Sequence, residues 1–364
     1  MTGRERFLTA LNNEKPDHLP PTVHSWMQYY LDTYLGGMDQ YQAYDHFGMD
    51  PVIYTWPGYV FAEEDEKRWQ WEKIDLPPRD GYTKVRWVAH TPEGDLQFEL
   101  ESNQFTTWNT EYIIKTKRDF EIWNKYVLVP AKIDWAPVIE AKNRIGDRGI
   151  VRSGFFDYGQ GSPWQSFCTL HGTQESIMLA MDEPEWMEWA LGEMLKKKLR
   201  AIEAGGKFEL DLVETGGGAG SNTVISPNFH RRFCLPYDKA QHQALHAAGT
   251  KVVYHLCGGL MKMLDLVVEN GADALETMTP PAMGADCDLA EATRRVGDKL
   301  AFIGGFDQNN GFEKGNPQVI HQMVHDLHAC CPDGGFICSP SDHFFFGGPE
   351  NIQAFVNAAR ECRY

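Results

Sequence analysis

The feature that most limits how this chain can fold is a rhythm. Short β-branched or apolar runs recur along it, and segments with helical apolar spacing lie between many of them. The runs fall at 18–24, 50–56, 149–156, 210–216, 251–257, 272–276, 299–306 and 335–340. The helix-like stretches fall at 183–204, 227–248, 259–270, 288–296 and 317–329. Pro227 and Pro317 each follow a Ser or an Asn, which places a proline in a helix's first turn behind a capping side chain. Eight strands alternating with helices predict an α/β fold, a (β/α)8 TIM barrel. With 364 residues, 42% of them hydrophobic, the chain has enough apolar material for one such core.

The first third interrupts the rhythm. TKVRWVAHTPEGDLQFELES alternates apolar and polar residues on either side of Pro92-Glu93-Gly94-Asp95, the pattern of a β-hairpin. Residues 58–129 are therefore expected to be an insertion near the barrel mouth, within one barrel unit spanning 1–364. A separate β domain made of this segment would have only a small core.

Charge and cysteine usage exclude several roles. A formal net charge of −17 disfavours nucleic acid and anionic membrane as partners, and disfavours a polyanionic substrate unless a local basic pocket overrides it. No stretch approaches the ~20 apolar residues of a membrane span. The opening MTGRERFLTALNNEKPD has no apolar signal region, so a cytoplasmic location is expected. The eight cysteines are scattered rather than densely spaced, which predicts reduced thiols with one or two available for metal. Eleven Trp within 12% aromatics supply core, with some left over to line a pocket for a flat ligand.

Barrel chemistry sits at the C-terminal ends of the strands. Those ends carry Glu214, His255 with Cys257, Glu276, Asp307, and Asp342 with His343. His255 and Cys257 are two apart on a strand, so both point to one face, here the interior. An imidazole and a thiolate converging in this way form half of a tetrahedral Zn²⁺ site. The blander possibility is a buried His bonded to backbone beside an inert Cys, because two ligands do not fix a metal. The flanking Gly258-Gly259 and the row of strand-end carboxylates favour the metal. Other features look chemical without supporting it. The glycine run 216–220 lacks the spacing and the lysine of a phosphate loop and reads as a tight strand exit. His321, His325 and His328 share one helical face, but on a helix expected outside the barrel, and Cys330-Cys331 ends that helix.

These residues resemble a known family. RERFLTALNNEKPDHLP, VISPNFHRRFCLPYDK, VVYHLCG, NGADALE, TPPAMGADCDLAEA, LAFIGGFD and GGFICSPSDHFFFGGPENI occur in the order found in the uroporphyrinogen-decarboxylase superfamily. No such likeness extends over 58–129. The decarboxylases of that superfamily carry an arginine-rich N-terminal segment, whereas PPTVHSWMQYYLDTY contains no arginine. The chain is more similar to the zinc-dependent, cobalamin-linked methyltransferases, whose H-x-C motif matches His255 and Cys257. Their further cysteine ligand falls on Asp342, so Asp342, or in its place His343, Cys338 or Glu214, would complete the metal site.

The resemblance implies a methyltransferase with Zn²⁺ as cofactor, acting between a small molecule and a corrinoid (cobalamin) carried by a separate corrinoid-binding protein. An oxygen ligand in place of a thiolate makes the metal harder, which suits an oxygen donor such as a methoxylated aromatic, and hence O-demethylation. Glu214 and Asp307 are the candidates for a fourth ligand and for orienting or protonating the departing oxygen, although both also suit loop capping. The alternative is a metal-independent decarboxylase of a small or tetrapyrrole carboxylic acid. A barrel that only binds a partner fits least well with so many strand-end acids.

Overall fold

The computed structural model describes residues 1–156 and 161–364. In chain order the strands are β1 (Val52–Tyr54), β2 (Gly58–Val60), β3 (Gln70–Arg79), β4 (Tyr82–His90), β5 (Leu96–Ser102), β6 (Thr107–Glu111), β7 (Lys132–Asp134), β8 (Ile150–Gly154), β9 (Leu212–Gly216), β10 (Lys251–His255), β11 (Ala274–Thr277), β12 (Ala301–Phe306) and β13 (Phe336–Pro340). Seven of them form one parallel sheet in the order β1-β8-β9-β10-β11-β12-β13. Helices connect them, as right-handed crossovers between parallel strands require.

The sheet curls into a barrel, and the segment 18–24 closes it. Pro21 bridges Cys338 in parallel, the Thr22 N–H donates to the Cys338 carbonyl at 3.0 Å, and the Cys338 N–H donates to Pro20 at 3.0 Å. On the other side the Asp50 N–H donates to the Pro21 carbonyl at 2.9 Å. The segment expected as a full strand thus occupies the first strand's place with isolated bridges only. The reason lies in its sequence: Pro20 and Pro21 have no N–H to give a ladder.

Alternation along the strands sorts the barrel interior into layers. Val52, Ile150, Leu212, Val253, Ala274, Ala301, Ile303 and Ile337 form an apolar cluster inside, sealed from below by Phe7, Ala10 and Leu11 of the first helix, Gly3–Leu11. Successive side chains point to opposite faces of a strand. The residues two positions after five members of this layer are therefore inward as well, and they are Tyr54, Arg152, Glu214, His255 and Glu276. One step along each strand takes the interior from a dry floor to a polar layer. The intervening residues, such as Val151, Val213, Tyr254 and Leu275, face the helices and join the outer apolar core.

The interrupted first third forms an antiparallel meander β3-β4-β5-β6, and β2 pairs with β7 at its base. The hairpin expected around Pro92–Asp95 is the β4–β5 connection, in register from Thr83↔Ser102 to Ala89↔Leu96. Glu93 in that turn is held by Arg118, Lys125 and the Tyr126 hydroxyl of the following helix, Lys117–Tyr126. The β5–β6 turn reaches over the barrel mouth. Phe105 sits 4.7 Å from Tyr29, 5.1 Å from Phe345 and 5.7 Å from Phe346, ring centre to ring centre. No helix among the described residues is long and apolar enough to cross a membrane. All eight cysteines are free thiols, as expected.

Candidate active site

The polar layer is an ion network. Arg152 is 1% exposed and reaches both acids: its guanidinium donates to Glu276 at 2.6 and 3.0 Å and to Glu214 Oε2 at 2.6 Å. The Tyr54 hydroxyl donates to the same Glu214 Oε2 at 2.6 Å, and its ring lies 4.7 Å below the Arg152 carbon. His255 Nδ1–H donates to Glu276 Oε1 at 3.1 Å and lies 3.6 Å from Glu214 Oε1. From the closing segment, His24 brings a second imidazole, with Nδ1 3.8 Å from Glu276 Oε2 and Nε2 3.4 Å from the Tyr54 hydroxyl. Ligand atoms of His24, Glu214, His255 and Glu276 all lie within 4.8 Å of one another.

Burial opposes every charge in this cluster, and the partners overcome it. For Glu276, burial pushes the carboxyl up, but Arg152 and then His24 hold it well below its ordinary range. Glu214 is lowered against the same burial by Arg152 and His255. For His255, burial pushes the imidazole down, yet hydrogen bonds to Cys257 and Glu276 and the charge of Glu214 raise it well above an ordinary histidine. Two carboxylates, one guanidinium and an imidazolium thus balance in charge.

The glycines at the β9 exit make room for the site. A methyl on Gly218 would stand 2.8 Å from Cys257 Sγ, and one on Gly216, at φ +86°, would meet the His255 carbonyl at 2.5 Å. Four of the loop's N–H groups are taken internally: Gly216 donates to Ser162, Gly217 to the His255 carbonyl, Ala219 to Gln165 and Gly220 to the Gly217 carbonyl. It is a close-approach exit, as its spacing suggested, and not a phosphate cradle.

The strand-end residues singled out in the sequence divide into two groups. Glu214, His255 and Glu276 converge, whereas Cys257 is not among the ligand atoms that lie within 4.8 Å of one another and acts on the cluster by raising the His255 imidazole. Asp307 and Asp342 do not join them. Both oxygens of Asp307 are engaged by Asn310, through its N–H at 3.0 Å and its side chain at 2.7 Å, so Asp307 caps the loop after β12. Asp342 is exposed, and its carboxylate accepts the His343 N–H at 2.7 Å. His343 itself borders the site, 5.1 Å from the His24 ring and bonded to Ser25 at 3.0 Å. Cys338 faces the outer core, opposite to the interior Ile337. His321 and His325 stack at 4.2 Å beside Glu361 on the outer helix Pro317–Cys330, away from the barrel interior.

Sequence reasoning missed His24, Tyr54 and Arg152. Arg152 carried a signal: a lone arginine inside the apolar run IVRSG has no place on a buried strand unless acids receive it. His24 carried none, because only barrel closure brings its segment to the others.

The cluster opens into a cavity of about 730 Å³ whose walls include His24, Tyr54, Trp56, Glu214 and His343. Among the described lining residues Arg144 is the one arginine or lysine. It is bound to Asp39 at 2.6 Å and lies over the Tyr41 ring at 3.7 Å.

Residues 159–362 match the uroporphyrinogen decarboxylase family, and the chain belongs to that family. Uroporphyrinogen decarboxylase from Shewanella pealeana is 28% identical over 223 residues, which is 55% of this chain and 57% of that protein. The match therefore spans a little over half the length of such relatives. A methylated-thiol–coenzyme M methyltransferase from Methanosarcina mazei is 23% identical over 142 residues, 39% of this chain and 35% of that protein. The fold matches a solved methyltransferase from Methanosarcina mazei with a TM-score of 0.64 at 13% identity, over 99% of both chains.

Proposed function

We propose that this protein is a zinc-dependent methyltransferase that takes a methyl group from a methoxylated aromatic and passes it to a corrinoid carried on a partner protein. The observation that carries the reading is the convergence of His24, Glu214, His255 and Glu276 at the barrel mouth. This donor set fits Zn²⁺, which takes imidazole, thiolate and carboxylate ligands in fours. His255 and Cys257 would hold the metal together with an oxygen ligand. Glu214 suits that place better than Asp342, because it belongs to the buried cluster whereas Asp342 is exposed; His255, whose Nδ1–H is given to Glu276, would bind the metal through Nε2 on losing the proton there. When bound, zinc supplies Lewis acidity at an ether oxygen, and a nitrogen- and oxygen-rich ligand set favours that hard atom over sulfur.

The chain's own groups do the rest. Arg152 and Tyr54 fix the Glu214 carboxylate, and Arg152 and His255 fix Glu276, so the acids cannot swing into the substrate. His24 faces the cavity and is placed to give a proton to the departing phenolate oxygen. In the transfer the aryl O–CH₃ bond breaks, its electrons stay on oxygen, and the methyl carbon forms a bond to the reduced cobalt of the partner. That partner would dock on the C-terminal face of the barrel. A tetrapyrrole or other polycarboxylate is disfavoured as substrate, because Arg144 and Arg152 are already paired with Asp39, Glu214 and Glu276.

The test is to incubate the zinc-loaded protein with a methoxylated phenol and a reduced corrinoid protein. Methylcorrinoid and the demethylated phenol should form in equal amounts. Ready methylation of a thiol with no turnover of any aryl methyl ether, or carboxylic acid decarboxylation without metal, would overturn the reading.

A further inference from the structure

Beside the catalytic cavity lies a second one, about 570 Å³, between the meander and the barrel mouth. Its walls are rings: Trp56, Trp69, Trp71, Phe98, Trp123 and Phe156. No charged side chain lines it among the described residues. Trp69 and Phe98 meet Trp71 edge to face, at 5.3 and 5.8 Å and 87° in both cases. Most of these walls come from residues 56–128, outside the stretch 159–362 that matches the family.

Two observations mark this as a binding site rather than a packing fault. Trp56 and Trp71 are 53% and 45% exposed, although such rings are usually well buried when nothing is to be bound. The space also lies within the size range of small-molecule pockets. Trp56 is moreover shared: it lines both this cavity and the one containing His24 and Glu214. The Tyr54 ring, whose hydroxyl holds Glu214, is 5.9 Å from the Trp56 ring. One molecule passing Trp56 would therefore have its body among the rings and its end at the acids.

We propose that this aromatic cavity is a binding site for the neutral, flat aromatic body of the substrate, with Trp56 as the joint to the reacting end. The assignment of that ligand as substrate rests on the methyltransferase reading; the cavity's preference for a neutral aromatic does not. The meander is then the specificity element of this chain, added to a barrel that supplies the chemistry. Apolar rings contribute affinity by burial and stacking, and the lack of lining charge rejects a ligand charged at that end.

The test uses the whole chain, stripped of metal by a chelator, and 2-methoxynaphthalene as probe in a calorimetric titration. One probe per chain is expected to bind, and Trp71→Ala and Phe98→Ala should each weaken binding at least tenfold. Both positions lie on the meander, Trp71 exposed and Phe98 half-buried, and unchanged circular dichroism would verify folding. His255→Ala should leave probe binding intact. The proposal is overturned if the wild type shows no saturable binding, if both ring variants bind as well as wild type, or if only His255→Ala loses the probe. Probe binding without methyl transfer would refute the methyltransferase reading alone, and methyl transfer without probe binding would refute this proposal alone.

Discussion

Replacing Arg152 with methionine tests the site's electrostatics directly. The change keeps an unbranched apolar stem and removes one guanidinium that makes three hydrogen bonds, two at 2.6 Å and one at 3.0 Å, to two buried acids. Bonds to charged groups are each worth about 1.5–3 kcal/mol, but the arginine's own desolvation cost is recovered when it goes. The net loss from leaving buried charge unpaired is therefore about 3–5 kcal/mol. Unfolding entropy of ~2.1 cal/mol/K per residue gives ~0.8 kcal/mol/K for 364 residues, so Tm should fall by about 4–6 °C. The assay is calorimetric or fluorescence-monitored melting of metal-free protein at neutral pH. The sharper check adds Glu276→Gln, which removes the charge that the lost arginine had balanced. If the network is as described, the double variant is more stable than Arg152→Met alone, because the second change relieves what the first created. A drop in Tm below about 1 °C for the single variant, or two losses that simply add, would refute the reasoning.

Two further predictions concern metal and pH. Elemental analysis should find about one zinc per chain; His255→Ala and Cys257→Ser should lose it while staying folded, and Asp342→Ala should keep it. Loss in Asp342→Ala would return the oxygen ligand to the loop after β13. The second concerns His242, fully buried between the Thr215 hydroxyl at 2.8 Å and the Asn270 carbonyl at 3.0 Å, where burial pushes its pKa from 6.5 down to about 4. A depressed imidazole is neutral when folded but takes a proton when unfolded. Stability is therefore complete above pH 6.5 and declines as pH falls towards 4, by up to about 1.4 kcal/mol per pH unit. His242→Gln should flatten that decline in denaturant melts between pH 6.5 and 4.5, and an unchanged slope would remove His242 as its source.

Much of this molecule was legible in its sequence, because strands and helices impose local periods. The runs at 210–216, 251–257, 299–306 and 335–340 each contain an observed barrel strand, and the alternation around Pro92–Asp95 marked the hairpin β4–β5. The pleat of β10 placed His255 on the interior face as the two-residue spacing predicted, but β10 ends at His255, so Cys257 lies beyond the strand and its position is set by the loop that follows. The same rule, applied to IVRSG as strictly, identifies Arg152 as an inward charge in need of acids. Other outcomes had no local signature. His24 reaches the site only because a segment too proline-rich to form a ladder still fills the gap between β1 and β13, a contact across more than three hundred residues. Asp307 and Asp342 look like Glu214 in sequence, each an acid at a strand's end. The loops that follow decide their fate: Asn310 engages one, and the turn at His343 directs the other to solvent. Local periodicity determines which way a side chain leaves its strand, whereas convergence of charges depends on long-range closure and on the turns beyond the strand ends. Only the folded chain supplies those.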